Sequence, residues 1–130
     1  MVNTPCGLFC DLNQRGLTDE DCPYIVTFMH ERPDVRTYQL NENGIGKAGC
    51  CMIAQALSDG VQITALELDG NAVGDVGGQA LADVIPHTKL ERIHVRGNNL
   101  SPETKEMLRQ AWSGAKKPVC TPGLTALPSL

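Results

Sequence analysis

The residues whose types and spacing point to chemistry lie in three short segments: Gln39 and Asn41, then Glu67 and Asp69, then Arg92, His94 and Arg96. Each sits one residue to the side of an apolar position, in segments where apolar residues alternate with polar ones as on a strand with one buried face. Three columns then point away from the core. One holds Asp11, Gln39, Glu67 and His94, the next Asn13, Asn41, Asp69 and Arg96, and a flanking column Phe9, Thr37, Ala65 and Arg92. The face passes from neutral amides through two carboxylates to a basic end. Its chemistry is recognition, because such a gradient orients a partner carrying one of its own. The charges also meet one another. Glu67 is expected beside His94 and Asp69 beside Arg96, and cross-strand opposite charges contribute about 0.2–1 kcal/mol without any partner. Aromatic residues are 4% of the chain, so the usual Tyr and Trp anchors of an interface are scarce.

Reactive chemistry finds less support. Three histidines assemble no nucleophile, base and orienting acid: His30 ends a helix and His87 falls in a connection. The GIGKAG run of residues 44–49 lacks the spacing of a phosphate loop. Asp19, Glu20 and Asp21 suit the favourable charge of a helix N-terminus better than metal ligation. Of the six cysteines, Cys22 and Cys50 are 28 positions apart and so occupy the same place on adjacent helices, beyond comfortable disulfide reach. Cys6 and Cys10 form CxxxC, Cys50 and Cys51 are adjacent, and no second pair follows at zinc-site spacing. Free, mostly buried thiols are expected, with no catalytic residue, metal or cofactor.

The elements that carry these columns repeat. Ile63, Leu66, Leu68, Asn71 and Val73 match Val35, Tyr38, Leu40, Asn43 and Ile45 upstream, and Leu90, Ile93, Val95, Asn98 and Leu100 downstream. The asparagines are 28 and 27 residues apart. An eroded copy places Cys10, Leu12, Arg15 and Leu17 in the same frame. The asparagine turns the chain inward and its amide satisfies backbone groups of the turn. Arg15 cannot do so, which predicts a looser first turn. Each turn leads into a helix with apolar or small residues every four positions: Val73, Gly77, Leu81 and Ile85, or Leu100, Thr104, Leu108 and Trp112. Thr18 and Ser101 stand at N-cap positions, and Pro102 suits a first turn. Gly77, Gly78, Ala80 and Ala82 predict close approach to a neighbouring helix. One such unit cannot hold a core, but stacked units make an α/β fold with a parallel sheet on one face and helices on the other.

The net charge of −4 and pI near 5.2 give no basic field, so neither nucleic acid nor an anionic membrane is expected. No apolar stretch reaches the roughly 20 residues of a membrane span, and no signal-type segment opens the chain. A cytoplasmic protein is expected. The chain divides into a repeat domain of about four units, residues 1–112, and a tail or cap, residues 113–130, whose Gly114, Pro118, Pro122, Gly123 and Pro128 interrupt regular structure. The edge strand around residues 9–12 is expected either to be covered by residues 1–7 or to support weak self-association.

With ITALELDGNAV, LERIHVRGNNL and GDVGGQALADVI in frame, residues 7–112 resemble the ribonuclease-inhibitor-like subfamily of leucine-rich repeat proteins. The resemblance implies a short solenoid or horseshoe, with the parallel sheet on its concave face and helices on its convex face. It also implies a non-catalytic module, an adaptor or regulatory subunit, that binds another protein through Gln39, Asn41, Glu67, Asp69, Arg92, His94 and Arg96. Two alternatives are a cytoskeletal regulator similar to tropomodulin and a thiol-based protein that responds to redox state or metal.

Overall fold

The computed structural model describes residues 2–4 and 7–115. Four strands lie parallel in chain order: β2 (Gly7–Asp11), β3 (Val35–Gln39), β4 (Ala65–Glu67) and β5 (Arg92–His94). Each leads through a turn into a helix: α1 (Cys22–Glu31), α2 (Lys47–Ser58), α3 (Gly74–Val84) and α4 (Pro102–Gly114). The pairing Phe9–Thr37–Ala65–Arg92, with Asp11–Gln39–Glu67–His94 two residues on, places the columns side by side as their spacing predicts. Between these rows run Cys10, Tyr38, Leu66 and Ile93, all buried against the helices. A further strand, β1 (Val2–Thr4), pairs antiparallel with β2 and covers its outer edge. Of the two outcomes expected for that edge, the folded-back segment is the one the structure contains.

The core lies between sheet and helices. Trp112 and Tyr38 are fully buried, as their places in the repeat frame require. The small residues set how closely the helices approach. A Cβ at Gly77 would lie 2.6 Å from Val73 Cγ1 and 3.0 Å from Cys50 Cβ, and one at Gly78 would lie 2.6 Å from Thr104 Cγ2. Overpacking of this kind typically costs about 1–3 kcal/mol. The glycines of α3 are therefore packing residues.

The asparagines work across repeats. Asn71 Nδ2 donates to Leu68 O at 2.9 Å in its own turn and to Leu40 O at 2.9 Å in the turn before, while its Oδ1 accepts from Ile45 N at 3.0 Å. Asn98 repeats the arrangement with Leu68 O and Val73 N. Asn43 does the same for the first turn, donating to Leu12 O and accepting from the N–H groups of Arg15 and Leu17. Arg15 makes none of the bonds within its own turn that Asn43 and Asn71 make in theirs, so the first turn is held from the following unit by the Asn43 side chain. Residues 14, 42, 70 and 97 all take positive φ in these turns. Gly70 and Gly97 adopt it freely, whereas Gln14 and Glu42 hold it at a cost.

Caps also reach across units. Asp19 Oδ1 accepts from Gly46 N at 2.6 Å before α2, and Asp75 Oδ1 from Ser101 N at 2.8 Å before α4. Ser101 Oγ accepts from Thr104 N, as its N-cap position predicts. Thr18 N donates to Asp21 Oδ2 at 2.9 Å, the reciprocal bond of a capping box. Helix α4 continues through Ser113 and Gly114, two residues beyond the boundary expected at residue 112. The rest of the expected tail, residues 116–130, lies outside the described residues.

Candidate functional site

The solvent face of the sheet brings all seven expected residues together on β3, β4 and β5 and the residues that follow them. Their side chains form a ladder. Asn13 Nδ2 donates to Gln39 Oε1 at 3.0 Å, and one unit on Asn41 Nδ2 donates to Glu67 Oε1 at 3.0 Å. The free oxygens of the second column accept backbone donors from the next strand: Asn13 from Asn41 N, Asn41 from Asp69 N, and Asp69 from Arg96 N at 2.7 Å. Asn41 and Asp69 are thus structural as well as exposed to the face.

Two ion pairs close the basic end. Arg96 meets Asp69 at 3.2 Å, as the column spacing predicts. Glu67 pairs with Arg92 at 3.1 Å and not with His94, although His94 is its register partner. The long guanidinium arm reaches diagonally where the imidazole does not. Glu67 also lies within 3.5 Å of Gln39 Nε2, and its side chain keeps only 12% of its exposure. It is far less of a solvent residue than alternation alone suggests, because neighbours on both strands lean over it. His94 Nδ1 is 3.9 Å from Asp69 Oδ2. Burial holds this imidazole below its usual range, against the pull of Glu67 and Asp69, so it is neutral at pH 7. The two arginines are what the face shows to solvent: Arg92 is 38% and Arg96 61% exposed.

The thiols sit elsewhere. Cys10, Cys22 and Cys50 are buried and free, and Cys51 is partly exposed and free; Cys6 and Cys120 lie outside the described residues. Burial pushes the Cys22 thiol up to about 11 and raises Cys10 and Cys50 as well. Such thiols are poor nucleophiles. Cys50 Sγ instead donates to Gly77 O in the neighbouring helix. A reductant is therefore expected to leave the melting temperature unchanged, and a drop of many degrees would show a structural disulfide. Among the described residues no group of three or more His, Cys, Asp and Glu is placed to hold a metal ion, and no helix is long and apolar enough to cross a membrane.

A family model of the leucine rich repeat matches residues 63–82, which span β4, the Asn71 turn and most of α3. Among curated proteins nothing matches the chain. The match covers the unit whose frame is most regular in the sequence. Residues 63–82 are thus similar to a leucine-rich repeat, a class whose domains are generally non-catalytic interaction modules.

Proposed function

We propose that the chain is an adaptor or regulatory subunit, a short horseshoe of the ribonuclease-inhibitor-like kind that takes a partner protein on a concave sheet face. The observation that carries this reading is the asymmetry of the ladder. Its carboxylates are enclosed by donors, whereas Arg96 stands more than half in solvent at one end and Arg92 beside it is partly exposed. A partner segment with acidic groups opposite β5 and donors opposite β3 would be held in one orientation. The reading extends to Gln39, Asn41, Glu67, Asp69 and His94 as the floor of the contact.

The test is affinity capture with the intact chain, read by mass spectrometry, followed by variants. Arg96→Glu is expected to weaken capture by about tenfold or more and to reduce its salt sensitivity. It should leave stability nearly intact, since exposed ion pairs contribute little to folding. Glu67→Gln with Asp69→Asn keeps the acceptor that Arg96 N requires and removes both charges. If both variants capture as well as the parent while Glu106→Ala with Arg109→Ala on α4 abolishes capture, the helical side is the working surface.

A further inference from the structure

A second surface lies at the opposite end of the fold, between α1 and the first two parallel strands. A cavity of about 520 Å³ opens there, within the size range of ligand pockets. Its floor is Cys10, Ile25 and Tyr38, all buried, and Leu17 and Phe28 form half-buried walls. Tyr24, at its mouth, is 77% exposed, the most exposed large apolar side chain among the described residues. Tyr24, Phe28 and Tyr38 are three of only five aromatic residues in the chain. Anchors that are scarce in the composition are therefore concentrated at one place, and Phe28 and Tyr38 are set edge to face at 6.3 Å.

The floor also contains an unsatisfied group. The Tyr38 hydroxyl is buried with no hydrogen-bond partner, a condition that core packing normally avoids. The lining's one charged side chain is Asp21. Its carboxylate is held in place by Thr18 N at 2.9 Å and retains lone pairs for another donor. Glu20 beside it is exposed.

We infer that this cavity docks a protein segment carrying an apolar side chain next to a lysine or arginine, the apolar group entering past Tyr24 and the cation meeting Asp21. An exposed tyrosine beside a pocket is the usual form of an interface anchor, and the single carboxylate at the mouth selects a basic neighbour over an acidic one. The surface is distinct from the sheet face, so one module would hold two segments at once.

The experiment selects random twelve-residue peptides displayed on phage against the immobilised full chain, then measures the affinity of the selected peptides by calorimetry. Expected is a consensus with Leu, Met or an aromatic residue within two positions of Lys or Arg. Tyr24→Ala, and Leu17→Trp to fill the cavity, should each weaken such a peptide by about tenfold or more. Asp21→Asn, which keeps the acceptor for Thr18 N, should weaken it several-fold and flatten its salt dependence. Arg96→Glu should leave it unchanged, so this result is independent of the sheet-face reading. Melting curves for each variant separate lost contacts from lost fold, with Tyr24→Ala expected to melt with the parent. Acidic consensus peptides, or binding indifferent to Tyr24→Ala and Leu17→Trp, would overturn the inference. So would a concentration-dependent dimer of the parent that Tyr24→Ala abolishes, or saturable uptake of Nile red without any peptide consensus.

Discussion

Asn71→Ala is expected to lower unfolding stability by about 1–3 kcal/mol. The side chain is buried and serves four backbone groups in two units, Leu40 O, Leu68 O, Asp69 O and Ile45 N. Removing it leaves Ile45 N without its acceptor, and an orphaned buried group costs about 1–3 kcal/mol, whereas Leu40 O and Leu68 O keep the amides of Asn43 and Asn98 as donors. Asn71→Asp should be at least as harmful, because a carboxylate oxygen would face three carbonyls. Arg15→Asn is the contrasting case. Its turn already has Asn43 as acceptor and donor, so the substitution should change stability by less than about 0.5 kcal/mol. Urea denaturation of all three variants decides the matter. An Asn71→Ala midpoint close to the parent's would show that water replaces the amide at little cost.

Leu68→Ala and Leu81→Ala should each cost about 2–5 kcal/mol. Leu68 points into the core from just beyond β4 and Leu81 from α3, and neither is exposed at all. Both lie in the unit with the most regular frame, flanked by units on either side, where collapse around a void is least available. Glu67→Ala occupies the position between two core residues. Alternation alone predicts a negligible loss there, but its bonds to Asn41 and Arg92 make a loss of about 1 kcal/mol or more the better expectation. Equal midpoints for the leucine variants and the parent would rule out the register that places Leu68 and Leu81 in the core.

The register was legible in the sequence because a strand's period of two leaves no freedom once one face is buried. Tyr38, Leu66 and Ile93 could only be core, and their flanking residues could only face outward. The four-residue recurrence of Val73, Gly77, Leu81 and Ile85 fixed the buried face of α3 in the same way. What crosses between units was less legible. Spacing shows that Asn43 and Asn71 belong to turns, but not that each also reaches back to the turn before its own, so the hold of Asn43 on the Arg15 turn is not legible in it. The pairing of Glu67 depends on arm length, and period-two reasoning has no term for that. No spacing in the sequence singles out Tyr24 and Phe28 on α1. Their convergence with Tyr38 depends on how α1 sits over the first strands, which only the packed structure contains.

The direction in which the asparagines act has a consequence for how such a chain can lengthen by duplication. A copy of the unit appended beyond α4 arrives with its own asparagine, and that residue completes the turn already present at Asn98. A copy inserted ahead of β2 would find Arg15 where an asparagine is needed to complete the newcomer's turn. Growth at one end therefore needs no second mutation, while growth at the other does, and the array has a preferred direction of expansion written into a single side chain.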